Sequence, residues 1–194
     1  MACSTSTRVR FRWPGFLGAA AIAVFAASVV ACSDPSPATP RIFIASTLGP
    51  GSDAENNGAV CQLANGPWLD IGTKDGSVNS GDNAVNVTCT VTHDGDGFKV
   101  SANATQSGQG SLTIVGHFTT TGQQSKISGV FVRNDTATFR DDNCTVDYTA
   151  DPNMGIAPGR VWGTLTCSRA SSDQSSPPRV CNGVAEFKFE NCAQ

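Results

Sequence analysis

Apolar and polar side chains alternate with period two between residues 85 and 105. Val85, Val87, Cys89, Val91 and His93 share one parity, and Asn86, Thr88, Thr90 and Thr92 hold the other. This is the pattern of a half-buried strand. Asp94-Gly95-Asp96-Gly97 has a turn composition. Phe98, Val100, Ala102 and Ala104 then alternate with Lys99, Ser101, Asn103 and Thr105. Folded about a four-residue loop, His93 faces Phe98, Val91 faces Val100, Cys89 faces Ala102 and Val87 faces Ala104. Every inward residue meets an apolar, Cys or His partner, so pattern and turn specify one register.

The same logic predicts a second hairpin. Ala137 and Phe139 lead into Arg140-Asp141-Asp142-Asn143, read as a turn, and Cys144, Val146 and Tyr148 return. Further strands are predicted at Ile42–Ala45, Trp68–Ile71, Leu112–Phe118, Ile127–Arg133, Val161–Cys167 and Val184–Phe189. About ten short strands with turn signals between them make a sandwich or a barrel. The expected fold is all-β, a disulfide-linked antiparallel β-sandwich of jelly-roll-like or immunoglobulin-like form. Its large core members should be Trp68, Phe98, Phe118, Phe131, Phe139, Tyr148, Trp162, Phe187 and Phe189. Helix signals are confined to Ser52-Asp53-Ala54-Glu55, a capping box that Asn56-Asn57-Gly58 stops within a turn or two.

Residues 1–31 follow a different pattern. Arg8, Arg10 and Arg12 precede an uncharged run from Gly15 to Ala31, rich in Ala, Val, Ile and Phe. That is the charge-then-apolar order of a secretory signal. The run ends at Val29-Val30-Ala31-Cys32, which resembles the lipobox of bacterial lipoproteins: aliphatic, small, small, then Cys. The resemblance covers residues 1–32 only. It implies that the thiol of Cys32 carries a diacylglyceryl group, that the peptide is cut before Cys32, and that the new amine is acylated. Two or more acyl chains give stable membrane anchoring. Ser33, in place of Asp, resembles lipoproteins sent on to the outer membrane. Residues 33–40 include Pro35, Pro37 and Pro40 and read as a semi-extended tether. The expected organisation is a removed signal (1–31), a lipidated Cys and tether (32–40), and one domain (41–194).

Of eight Cys, Cys3 lies in the removed signal and Cys32 is the lipidation site. Cys61, Cys89, Cys144, Cys167, Cys181 and Cys192 remain, an even number in an exported chain. They read as three disulfides. No C-x-x-C pair occurs and only His93 and His117 are available as partners, so no metal site is expected. Of the 15 pairings that six Cys allow, the expected ones are Cys61–Cys89, Cys167–Cys181 and Cys144–Cys192. The second clasps the Ser/Pro-rich stretch Ser168 to Val180, and the third ties down the C-terminal strand.

Composition and charge narrow the function classes. Only 15% of residues are charged, while Gly, Ser, Thr and Asn are abundant. After removal of the signal the chain keeps 10 basic and 16 acidic residues, a formal charge of about −6. A nucleic-acid partner, which wants a basic face, is not expected. No G-x-S-x-G, S-x-x-K or H-E-x-x-H motif occurs. His93 reads as a structural residue beside Phe98. Asp94 and Asp96 offer too few oxygens for calcium, and tight turns use the same residues. Asn86, Asn103, Asn134 and Asn143 each open an N-x-[ST] triplet, which in a bacterial chain is no modification signal by itself. Trp68 and Trp162 are the candidate binding residues, because an exposed planar ring can stack on a sugar.

The resulting expectation is a non-enzymatic, lipid-anchored envelope protein, with no cofactor, at the outer membrane or cell surface. Its partners would be the membrane through its lipid and, weakly, extracellular glycans or other envelope polymers. The alternative is a secreted glycan-active hydrolase on the same scaffold, with two convergent carboxylates distant in sequence.

Overall fold

The computed structural model describes residues 37–50, 61–64, 66–172, 174, 176 and 178–194. The signal, Cys32, the first tether residues and the capping box at Ser52–Glu55 lie outside them. Among the described residues there are eleven strands. They are β1 (Arg41–Gly49), β2 (Pro67–Ile71), β3 (Val78–Asn79), β4 (Val85–Asp94), β5 (Gly97–Gln106) and β6 (Gly110–Thr119). Next come β7 (Gln124–Arg133), β8 (Thr138–Asp147), β9 (Gly155–Ala157), β10 (Arg160–Ser172) and β11 (Arg179–Glu190). A 3-10 turn, Asp82–Ala84, precedes β4.

All strands belong to one antiparallel sheet, ordered β2-β1-β11-β10-β8-β7-β6-β5-β4, with β3 on β1 and β9 on β10. The two ends of this path are joined. Ser80 Oγ accepts from the Val87 amide at 2.9 Å, while Ser80 N donates to Pro40 O. Ala193, just past β11, bridges in parallel to Thr90: Val91 N donates to Ala193 O at 2.8 Å and Ala193 N to Cys89 O at 3.0 Å. The sheet is thus rolled into a nearly closed barrel. The all-β, disulfide-linked antiparallel class is as expected, and the packed layers are opposite walls of one sheet rather than two stacked sheets.

The alternation explains the roll. Along β4 and β5 one parity buries its apolar side chains, and the other carries Thr, Ser, Asn and Lys outward. Phe118, Phe131, Phe139, Phe187 and Phe189 are fully buried in a single cluster. Each such side chain contributes about 1.5–3 kcal/mol over exposure. A membrane-spanning β-barrel has the reverse arrangement, apolar outside. Trp68 reaches from β2 across the interior, its ring 6.0 Å from that of Phe131, with its indole N–H aimed at Gln109 O.

The β4–β5 register is the expected one: His93↔Phe98, Val91↔Val100, Cys89↔Ala102 and Val87↔Ala104. Asp94 and Gly97 also pair, so the loop is two residues rather than four. Gly97 is required there, since a Cβ would lie 2.2 Å from Phe118 O.

Two expectations are corrected. Arg140–Asn143 is not a turn: β8 runs unbroken through it, and the chain reverses at 134–137 between β7 and β8. The disulfide pairing also differs. The bonds are Cys61–Cys181, Cys89–Cys192 and Cys144–Cys167. Thr145 pairs with Thr166 across β8 and β10, so Cys144 faces Cys167 one step further on, with Cα atoms 4.3 Å apart. Cys181 pairs in register with Ala170, out of reach of Cys167, and holds Cys61 ahead of β2. Cys89 lies on the last strand of the path and meets Cys192 where the barrel closes. The two bonds spanning 120 and 103 residues close the longest loops, each on the order of 4–5 kcal/mol in a chain-entropy account. Three disulfides mark an oxidising, extracytoplasmic environment. Among the described residues no helix is long and apolar enough to cross a membrane.

Candidate functional site

Neither candidate Trp presents a stacking face. Trp68 is 9% exposed and Trp162 7%. Trp162 points to the outer parity of β10, where the register aligns Phe43, Lys188 and Trp162 in one row across β1, β11 and β10. All three are buried. The segment 72–77 is strapped across this row. The Lys188 ammonium donates to Lys74 O and stands 5.0 Å from the Trp162 ring centroid. Lys74 pairs with Glu186 at 3.0 Å, and Glu186 also accepts from the Trp162 indole N–H at 3.4 Å. Ser77 Oγ donates to Glu190 at 2.7 Å, and Arg41 donates to Ser77 O. The expected exposed platform is therefore covered by a polar strap, and both faces of β10 are buried at Trp162.

The histidines lie at one end of the barrel. His93 is exposed at the end of β4 and stands edge-on to Phe98, ring centroids 5.5 Å apart. His117 Nε2 lies 3.0 Å from Asp94 O and 3.7 Å from the Asp96 carboxylate. The Asp-Gly-Asp-Gly tip is thus engaged as a turn braced by His117. Asp141, Cys144 and Cys167 bring an oxygen and two sulfurs within 4.8 Å of one another, but the sulfurs are bonded to each other.

The outer wall instead carries a polar groove over the Cys144–Cys167 bond. It is lined by Arg140, Asp141, Asp142, Asn143, Ser168, Arg169, Ser171 and Val180, with a volume of about 460 Å³. A neighbouring hollow of about 440 Å³ shares Arg140 and Ser171 and adds Thr138, Ser172, Gln174 and Pro178. Two β-bulges build it. Register slips between β7 and β8 as Ile127↔Cys144 gives way to Gly129↔Asp141. It slips again between β10 and β11 from Cys167↔Gly183 to Ala170↔Cys181. Each bulge adds a residue to one strand and re-aims side chains outward. The Cys144–Cys167 bond lies fully buried on the inner side of these strands, and Gly129 lies against it: a Cβ there would be 2.5 Å from Cys167 Sγ and 2.9 Å from Cys144 Sγ.

The groove's carboxylates are already engaged. Asp141 accepts from the amides of Asn143 at 2.9 Å and Arg169 at 3.1 Å, and Asp142 accepts from Ser128 Oγ at 2.6 Å. Among the described residues the Arg140 and Arg169 guanidiniums, both exposed, have no hydrogen-bond or ion-pair partner. The groove therefore presents two guanidiniums and two carboxylates, with no net charge, amid hydroxyl and amide groups.

Sequence reasoning missed this groove, although a signal was present. Phe139 and Cys144 both point inward although five residues apart, and so do Cys167 and Ala170, three apart. An odd spacing between inward residues of one strand requires a bulge.

No family model, no curated protein and no solved structure matches this chain.

Proposed function

We propose that this chain is an exported bacterial lipoprotein, acylated at Cys32, whose disulfide-closed barrel is a non-catalytic structural or binding domain of the cell envelope. The observation that carries the reading is the lipobox-like Val29-Val30-Ala31-Cys32 run followed, after a Pro-rich stretch, by a domain closed with three disulfides. The last tether residues support it: Asn191 donates to Thr39 O, and the chain enters the barrel beside its own C-terminus. That end would face the bilayer. The groove lies at the other end of β10, seven to ten residues beyond Val161, roughly 25 Å away at strand rise. It would face outward, toward extracellular glycans or other envelope polymers. Its lining is polar, with little apolar area for a tight hot spot, so contact there would be weak.

The test is the Cys32→Ala variant of the full chain. Lipid labelling and membrane fractionation are expected to be lost together. A variant that still partitions with membranes through residues 1–31 would show a peptide anchor and overturn the lipoprotein reading.

A further inference from the structure

We infer that the Cys89–Cys192 bond is a reducible latch on the barrel: a protein dithiol that cleaves it opens the seam between β4 and the 191–194 segment, while the rest of the sheet stays folded. This goes beyond the envelope role proposed above and does not depend on the lipid anchor.

The seam is the one junction of the barrel path that a ladder does not close. Ten residue pairs join β4 to β5, but among the described residues the opposite edge of β4 has no partner strand. Single residues cap it instead. The backbone groups of Val85, Val87, Cys89 and Val91 point to that edge. Gly81 N donates to Val85 O, Val87 N to Ser80 Oγ, Ala193 N to Cys89 O and Val91 N to Ala193 O, all at 2.8–3.0 Å. The disulfide is the covalent link across this gap. The other two bonds act elsewhere. Cys144–Cys167 joins β8 to β10, which are hydrogen-bonded neighbours without it, and Cys181 sits within the β10–β11 ladder. Cleaving either of those leaves the strand order closed as before. Cleaving Cys89–Cys192 leaves the seam to a few hydrogen bonds, each weak in net terms because water offers the same partners.

Burial ranks the bonds in the same order. Cys89 is 7% exposed and Cys192 5%, whereas Cys144 and Cys167 are 0% and Cys181 is 1%. Cys192 also lines a hollow of about 450 Å³, together with Gly159, Arg160 and Ala193. A thiolate has to reach a disulfide sulfur along the S–S axis, so access decides which bond exchanges first. The reductant is a dithiol of the C-x-x-C class. One of its thiolates attacks Cys192 Sγ; the S–S bond breaks, and Cys89 leaves as a thiolate and takes up a proton. The second thiolate then attacks the mixed disulfide, frees Cys192 as a thiol, and the dithiol ends as its own disulfide. Two electrons pass from the dithiol to the latch. In an oxidising compartment the latch stays closed until such a protein is delivered to it. Once open, the Cys89 carbonyl and the Val91 amide stand unpaired on a strand edge, the arrangement to which another strand can add.

The experiment uses the full chain in detergent micelles, treated with dithiothreitol without denaturant, quenched in acid and alkylated for peptide mass spectrometry. Cys89 and Cys192 are expected to be labelled first, about tenfold or more faster than Cys144 and Cys167, which need a larger opening of the fold. Hydrogen exchange of the singly reduced form should show lost protection at the Val91 and Ala193 amides and unchanged protection at Leu165 and Phe187. Cys89→Ser/Cys192→Ser should show the same exchange pattern with no reductant present. First labelling at another pair, or labelling of all six Cys together, overturns the latch. So does retained protection of Val91 and Ala193 in both the reduced form and the variant. A variant that loses protection at Leu165 and Phe187 as well shows that the bond holds the whole fold, and also overturns it.

Discussion

Gly129→Ala tests the packing around the buried Cys144–Cys167 bond. The added methyl would lie 2.5 Å from Cys167 Sγ, 2.9 Å from Cys144 Sγ and 3.3 Å from Leu165 Cδ2. Both sulfurs are fully buried and tied to each other across β8 and β10, so neither can swing away as a flexible side-chain end would. Overpacking of this kind costs about 1–3 kcal/mol. For a domain spanning Pro37–Gln194, 1 kcal/mol lowers the melting temperature by roughly 2–4 °C. The expected loss is therefore about 2–12 °C in a non-reducing thermal melt. The decisive step is a double-mutant cycle. In a Cys144→Ala/Cys167→Ala background the sulfurs are gone, and the Gly129→Ala penalty should fall to near zero or reverse. The same penalty in both backgrounds, or none in the parent, would refute the placement of the disulfide against Gly129.

Other expectations follow from separate contacts. Digestion under non-reducing conditions should yield linked peptides for Cys61–Cys181, Cys89–Cys192 and Cys144–Cys167; a Cys167–Cys181 peptide contradicts the strand order. The Arg133 guanidinium holds the Asp135 carboxyl down at about 2 through two hydrogen bonds across the β7–β8 reversal. Because the folded value is depressed, the pair's contribution is present above the ordinary carboxylate range and lost as pH falls toward 2. Asp135 is exposed, so the stability effect stays below about 1 kcal/mol. The NMR titration of Asp135 should show the low value, and Arg133→Gln should return it toward 3.8. Lys188→Ala removes the cation over Trp162 and the anchor of the 72–77 strap, at a cost of about 1–3 kcal/mol. Acrylamide quenching of tryptophan, weak in the parent, should rise in the variant; no rise would mean that Lys188 does not hold the strap.

What was legible in the chain was whatever rests on local alternation. The β4–β5 hairpin is readable because its inward parity is apolar, Cys or His throughout, and a register slip would expose all of it. Arg140-Asp141-Asp142-Asn143 misleads because a bulge and a turn draw on the same residues: both leave ladder groups unpaired, and Asp and Asn side chains satisfy them, as Asp141 does for the Asn143 and Arg169 amides. Trp162 could not be placed because its cover comes from far away: Lys74 and Lys188 are 114 residues apart in sequence. The disulfides could be counted but not paired. Pairing depends on β8 lying beside β10 and on the C-terminal tail meeting β4, neither of which follows from spacing. The groove falls between these cases. Its parity breaks are written in the sequence, but only the fold brings the two bulges to the same level of the wall.

The N-terminal peptide of the mature protein tests the proposed export and lipid anchoring of the barrel most directly. Mass spectrometry of the protein purified from membranes of an expressing bacterium is expected to show a peptide that begins at Cys32, with a diacylglyceryl group on sulfur and an acyl group on the amine. A mature chain that begins at Met1, or at Cys32 with a free thiol and no acyl mass, would contradict it.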